Sequence, residues 1–446
     1  MADDKLSANY QEAVKGVRSD KAVTALVRTK LPEPDQQVLE QVQSMVQAEH
    51  LATRRSDLLG QITRRYGEGA AFRANVEETT TKAQTKVAEA APQACSLWLA
   101  GAVAVSGTRK EIEELAGHDD VVSVEPNPVF QVPEPLQTPL EDTPETVDGS
   151  TWGVAKIGAP EVWGGFGRGE RVLVGHLDTG VDDTHPALAG KVTFFQEFDS
   201  IGNLVASATH DSASHGTHTA GTIVGRTFRG VNIGVAPEAR LASALVLPGG
   251  SGSFAQIIAG MQWAIGQGAH VINMSLGALG YSTIWNLPVL NATLAGVLVV
   301  ASIGNSGQGT SGGPGNDPLS LGVGATHYLD HVAGFSSGQT LVSVPWFNFT
   351  RTYIKPDISA PGVSVVSSVP GPGLAAFNGT SMAAPHVAGA AALLLSTEPT
   401  LQGDPFTTRA VLLGTIEDFG EAGRDQRFGF GRLDAQSAAE QAVALV

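Results

Sequence analysis

Ser381 lies in the stretch Asn378-Gly379-Thr380-Ser381-Met382-Ala383-Ala384-Pro385-His386, which runs into the apolar series Ala390–Leu395. Small residues followed by an apolar run read as a loop entering a buried helix. A serine at that entry sits among unpaired backbone N–H groups, at the positive end of the helix dipole. There it can attack a carbonyl while its own N–H helps hold the oxyanion that forms. Pro385 is tolerable so early in the helix, because the first N–H groups lack partners anyway. Alone, a Thr-Ser pair means no more than a helix cap. Three other stretches add what a serine nucleophile needs. Leu177-Asp178-Thr179-Gly180 places a carboxylate before a tight turn. His215-Gly216-Thr217-His218 opens a small-residue helix, and Gly304-Asn305-Ser306-Gly307 offers an amide side chain on a glycine-rich loop. Acyl transfer by serine requires a nucleophile, a base, a group orienting the base, and oxyanion donors. Ser381, His215, Asp178 and Asn305 fill these roles one each.

Rival chemistries leave part of this pattern unexplained. His210, Asp211, His215 and His218 invite a zinc site, with His215 and His218 spaced for one helical face. The chain has no His-Glu-x-x-His, however, and zinc would leave Ser381 and Asn305 without a purpose. No Gly-x-Ser-x-Gly elbow surrounds Ser381, which argues against an α/β-hydrolase. The loop Gly165-Phe166-Gly167-Arg168-Gly169 precedes its strand instead of following it, so it is a turn and not a dinucleotide site. His386 falls inside the nucleophile's helix and reads as packed. His176, two residues before Asp178 on one strand, shares its face. It reads as a core histidine or as a group acting on the Asp178 environment.

Elements that could position these residues alternate along the second part of the chain. Arg171–Asp178, Leu241–Leu247, Val271–Met274 and Val297–Ser302 read as buried strands, and Phe254–Gly266 as a helix between them. Continuous apolar strands separated by helices predict an α/β fold, doubly wound around a mainly parallel sheet. Ligand sites in such sheets lie beyond the carboxyl ends of the strands, where Asp178 and Asn305 fall.

Earlier in the chain, Lys21–Arg28, Ser96–Val105 and Val121–Val124 read as strands. Asp35–Tyr66 has helical spacing, and Thr108–His118 reads as a short helix with Ile112 and Leu115 inward. That order predicts a small α+β domain over residues 1–130. Residues 131–150 hold four prolines and five carboxylates, which builds no core and reads as an extended linker. Residues 151–446 form the third segment. The net charge of −16 argues against nucleic-acid or anionic-membrane partners. No apolar run reaches membrane-spanning length, and the polar start lacks a signal-peptide core. Cys95 is the single cysteine, so no internal disulfide forms. The expectation is a monomer in the cytoplasm, or one exported by a route the sequence does not display.

With Asp178, His215, Asn305 and Ser381 in that order, residues 151–446 resemble the subtilisin-like serine proteases. The resemblance implies a seven-stranded, mainly parallel sheet flanked by helices, and endopeptidase activity without a catalytic cofactor. It also implies a cleft in which Gly250-Ser251-Gly252 and Ser275-Leu276-Gly277 pair with an extended peptide, main-chain bonds supplying much of the affinity. Gly312, with Gly313, then lies at the base of an apolar first pocket that has no acid to favour basic side chains. The related acid-acting sedolisins use a Glu base, where this chain has His215.

Ser96–Val105 and Ile112–Glu125 are similar to the inhibitor pro-domains of that family, which makes the chain's own first domain a partner of the second. This implies a self-inhibited precursor cut after Phe130, with Phe130 in the first pocket and Leu136 or Leu140 as other cut sites. The alternatives are an unrelated N-terminal binding domain and a catalytically silent relative that only binds protein. Family members often hold calcium in a loop after the histidine helix. Here Phe228 and Ala187 stand at the ligand positions, with Arg226 and Arg229 beside them, so no metal is expected there.

Overall fold

The computed structural model describes residues 3–30, 42, 84–91, 93–132 and 136–445. Apart from Val42, the helical pattern over 35–66 lies outside these. The chain begins with α1 (Ala8–Ala13), capped by the Ser7 hydroxyl, and β1 (Ala22–Thr29). After α2 (residues 84–90) come β2 (Gln93–Leu97), β3 (Ala102–Thr108), α3 (Arg109–Leu115) and β4 (Val121–Pro126). The four strands form an antiparallel sheet in the order β2-β3-β1-β4.

Residues 96–105 read as one strand in sequence, yet they divide. Gly101 takes φ 58°, closing a 3-10 turn over Trp98–Ala100 and joining β2 to β3. α3 begins with a reciprocal cap between Thr108 and Glu111 and buries Ile112 and Leu115, as their spacing predicts. Side chains alternate across the sheet. Ala25, Val27, Val103 and Val105 face its own helices, whereas Leu26, Ala102 and Ala104 face the rest of the molecule.

β5 (Val129–Gln131) and β6 (Leu136–Thr138) follow, then α4 (Trp152–Lys156) and α5 (Ala159–Gly165). Next are β7 (Leu173–Asp178), β8 (Val192–Phe198), β9 (Leu204–Val205), α6 (His215–Val224), and a small hairpin of β10 (Thr227–Phe228) and β11 (Val231–Asn232). The chain continues through β12 (Arg240–Leu245), β13 (Ser251–Ser253), α7 (Phe254–Gly266), β14 (Val271–Met274), β15 (Ala278–Leu279), α8 (Asn286–Leu294) and β16 (Leu298–Ser302). β17 (Gly312–Gly313) and β18 (Leu321–Thr326) precede a long hairpin, β19 (Gln339–Trp346) and β20 (Phe349–Lys355). β21 (Ile358–Pro361), β22 (Val365–Val369) and β23 (Gly373–Asn378) lead into α9 (Thr380–Thr397), α10 (Pro405–Gly414) and α11 (Ala435–Ala444).

The main sheet runs β21-β18-β16-β14-β7-β12-β8-β9. Its first seven strands are parallel, as expected, and the two-residue β9 adds an antiparallel eighth. β7 lies where the strand order reverses, so the crevice beyond its carboxyl end is the favoured ligand site. One face is covered by α9, whose residues from Thr380 to Leu395 are buried, together with α6 and α11. The other face is covered by α7 and α8.

The N-terminal sheet packs on this second layer through Leu97, Trp98, Leu99 and Ala104. Polar bonds fix the seam. Leu99 N–H donates to Gln262 Oε1 (3.0 Å), and Asn291 Nδ2 donates to the Leu99 carbonyl (3.0 Å). Asn127 bridges across it, giving Nδ2–H to the Ser200 carbonyl and accepting the Ala255 N–H.

Candidate active site

β7 delivers Asp178 to the crevice and α6 delivers His215 as its first residue. These elements approach so closely that a Cβ on Gly216 would overlap the Gly180 carbonyl oxygen, so position 216 requires glycine. Asp211 ties the two together. Its Oδ1 accepts the Thr179 hydroxyl (2.7 Å), and its Oδ2 accepts the N–H (2.7 Å) and hydroxyl (2.6 Å) of Thr217 in the first turn of α6. A carboxylate there also suits the helix dipole.

His215 Nδ1 donates to Asp178 Oδ1 at 2.7 Å, and the same oxygen accepts the Thr179 N–H at 2.7 Å. His215 Nε2 is buried and has no hydrogen-bond partner among the described residues. Burial alone would raise the Asp178 carboxyl. The His215 charge and hydrogen bond, with His176 and the Thr179 N–H, outweigh it and hold the group below its ordinary value. The carboxylate form is therefore favoured.

Ser381 occupies the first turn of α9 and is buried. Its hydroxyl donates to the Ser275 carbonyl at 3.2 Å, while Ser275 Oγ donates to the Ser381 carbonyl at 2.7 Å. Ser381 thus rests on the loop that follows β14. Asn305 Oδ1 accepts both the N–H and the hydroxyl of Thr380 (2.9 Å each). Those bonds fix which end of the amide is which and leave Nδ2 as its donor end. Ser381 and Asn305 line one cavity of about 200 Å³, shared with Ser275, Leu276, Gly277 and Gly312. No charged side chain lines it among the described residues. Of the two glycines expected at its base, Gly312 lines the cavity, whereas Gly313 lies against Trp285.

The chain's own N-terminal part already occupies the cleft. β5 pairs antiparallel with β13, setting Gln131 against Ser251, Phe130 against Gly252 and Val129 against Ser253. Val132 N–H donates to the Gly250 carbonyl at 2.8 Å. Gly252 is obligatory there, since a Cβ would overlap the Val246 carbonyl oxygen. β6 adds to β23 in the same manner, with Leu136 opposite Asn378 just before α9.

This register corrects the expectation for Phe130. Its ring does not enter the Ser381 cavity. It packs against Phe254 (6.5 Å between centroids) and edge-on to Trp285 (5.2 Å), and is 5% exposed. Gln131 and Val132 are the residues that reach the cavity. The pairing of Phe130 with Gly252 sets this, because it leaves further residues between Phe130 and Ser381.

The loop after α6 does not suit a cation. Phe228 packs at a tilt against His185 (4.9 Å) with Arg229 over its ring (5.0 Å), and the Thr227 hydroxyl donates to Asn232 Oδ1 across the hairpin. Ala187 is buried, and its carbonyl accepts the Arg226 N–H. The Arg226 guanidinium takes the Ala189 carbonyl. Of the other histidines, His218 donates toward the Val365 carbonyl (2.9 Å) and stacks on Phe377 (4.3 Å), with burial pushing it down to about 3. His386 pairs with the Met382 carbonyl inside α9. Both are packing residues.

Asp211, Thr179 and Ser275 Oγ were missed as supports. Their types are ordinary for loops and caps, and only the meeting of distant segments reveals their work.

Residues 169–431 match the model of the Subtilase family. Subtilisin E of Bacillus subtilis (strain 168) is 37% identical over 299 residues, covering 65% of this chain and 71% of that protein. Subtilisin of Bacillus pumilus is 36% identical over 299 residues, 65% of this chain and 98% of the relative. Subtilisin Savinase of Lederbergia lenta is 38% identical over 291 residues, 64% and 97% respectively.

Proposed function

The chain belongs to the subtilase family and is a serine endopeptidase, and we propose that its chemistry runs through Ser381, His215, Asp178 and Asn305. Ser381 Oγ attacks the peptide carbonyl as its proton passes to His215 Nε2. Asp178 keeps the Nδ1 proton in place and stabilises the imidazolium. The oxyanion meets Asn305 Nδ2 and the N–H groups at the start of α9. Collapse transfers the proton from His215 to the leaving amine and leaves an ester on Ser381. Water, deprotonated by the same imidazole, then releases the acid. Catalysis needs no cofactor. The observation that carries this reading is the 2.7 Å Asp178–His215 bond, which leaves a buried Nε2 with no hydrogen-bond partner among the described residues. Ser381→Ala and His215→Ala should each abolish peptide hydrolysis and leave the fold intact. Undiminished turnover in either, or failure of a fluorophosphonate to label Ser381, removes the assignment.

The substrate is an extended peptide lying between residues 250–252 and 275–277. The uncharged cavity favours an uncharged side chain before the cut. The first domain is an inhibitor of the second, supported by its seam on α7 and α8 and by β5 in the cleft. Gln131 and Val132 line Ser381's cavity while β5 is held at β13 and β6 at β23, which supports cleavage in the connection between β5 and β6. Mass spectrometry of the wild type and Ser381→Ala locates it: a cut elsewhere, or one unaffected by Ser381→Ala, refutes self-processing there.

A further inference from the structure

Behind the catalytic carboxylate lies a line of polar groups with no exposure to solvent. Ser243 on β12 faces His176 on β7, with Ser243 Oγ 3.0 Å from His176 Nδ1. His176 Nε2 lies 2.8 Å from Thr219 Oγ1, and the Thr219 hydroxyl donates to Asp178 Oδ2 at 3.0 Å. Asp178 Oδ1 is served from the other side by His215 Nδ1 and the Thr179 N–H. Ser243, His176, Thr219 and Asp178 are each 0% exposed.

The directions of these bonds follow from counting protons. Thr219 has one hydroxyl proton and three acceptors in reach: Asp178 Oδ2, the Gly216 carbonyl (3.1 Å) and the His215 carbonyl (3.3 Å). Helical threonines commonly choose such carbonyls. A carboxylate is the stronger acceptor, and an N–H given to Thr219 Oγ1 polarises the hydroxyl further toward it. His176 must then carry its proton on Nε2 and accept the Ser243 hydroxyl at Nδ1. The opposite tautomer would draw Thr219's proton to His176 and leave Asp178 Oδ2 buried without this donor, at a cost.

We propose that His176 and Thr219 are positioning residues for the protease reaction, holding Asp178 Oδ2 so that Oδ1 stays aimed at His215 Nδ1. This rests on the assignment of Asp178 above. Neither residue touches substrate; each acts through the carboxylate. Their loss should therefore appear in kcat and leave KM nearly unchanged.

The test is steady-state peptide hydrolysis by the full chain, allowed to mature, in four variants. Thr219→Val keeps the shape and removes the hydroxyl. It should lower kcat about 10- to 100-fold, the worth of one hydrogen bond to a charged group, with KM within about two-fold. Thr219→Ser restores the hydroxyl and should recover most of that loss. His176→Leu should lower kcat in the same direction, which keeps the test decisive if Thr219→Val does not fold. Wild-type kcat in Thr219→Val or His176→Leu overturns the inference, and so does a Thr219→Ser variant as impaired as Thr219→Val, since packing alone would explain that. Ser381→Ala is the separating control: turnover surviving there refutes the active-site assignment itself, whatever the other variants do.

Discussion

Replacing Phe130 by alanine should release the strand that fills the cleft. The Phe130 side chain is almost wholly buried, against Phe254 and Trp285. Burying such a ring contributes about 1.5–3 kcal/mol, and each aromatic contact adds about 0.5–1.5 kcal/mol. The sum agrees with the roughly 3–5 kcal/mol lost in large-to-small aromatic substitutions. At about 1.4 kcal/mol per decade, local opening should become at least 100-fold more frequent. The reporter is the Val132 amide, whose N–H donates to the Gly250 carbonyl. Hydrogen exchange is measured on the full chain carrying Ser381→Ala, so that no peptide bond is cut. Phe130→Ala in that background should speed Val132 exchange by about 100- to 1,000-fold, leaving amides of the main sheet unchanged. Unaltered Val132 protection would show that backbone pairing alone holds the segment and that the aromatic pocket contributes little.

Asn305→Leu should reduce kcat with KM little changed, by the factor of about 10²–10³ established for the corresponding donor in subtilisin. A change confined to KM would limit Asn305 to substrate binding. Chelator should shift the unfolding midpoint of the Ser381→Ala chain by less than about 2 °C, because Phe228, Arg226 and Arg229 occupy the loop after α6; for a chain of this length 1 kcal/mol corresponds to only about 1–2 °C. A large fall in EDTA would reveal a metal site elsewhere. Asp317 gives a pH signature: burial lifts its carboxyl from 3.8 to about 6, against the pull of Lys355 and Arg351. A folded value above the unfolded one means the group's favourable contribution is complete below 3.8 and lost as pH rises through 6. Asp317→Asn should therefore gain on the parent by about 3 kcal/mol between pH 4 and 6, two units at about 1.4 kcal/mol each. A stability difference that stays flat over that window refutes the account.

The candidate site residues stand out in the sequence because each carries a local signature. A nucleophile at a helix entry demands small neighbours, as around Ser381, and a carboxylate closing a buried strand stands out, as at Asp178. β7, β12, β14 and β16 were legible from their uninterrupted apolar runs, whereas β8, β9, β18 and β21 were not read as strands. What stayed hidden depends on segments far apart in the chain. The register of Phe130 is set by Gly252, and no pattern within residues 125–135 reveals it. The His176–Thr219 line exists only because β7 and α6 pack together. Trp98–Ala100 read as strand because its residues are apolar, and only Gly101 in a left-handed conformation turns them into a corner that docks on α8. The β19–β20 hairpin escaped for a related reason: its turn uses Phe347 at φ 51° and Asn348 in place of a glycine signal.

The polypeptide grips the enzyme on both flanks of the nucleophile, through β5 at β13 and through β6 at β23. A substrate held on one flank loses its amine fragment once cut. Here the newly made amine would remain tethered beside the ester at a high effective concentration, where it competes with water. The first cut is then readily undone, and the ester turns over only after β6 peels from β23. Maturation on this reading is timed by the detachment of three residues, Leu136–Thr138, and not by bond breaking.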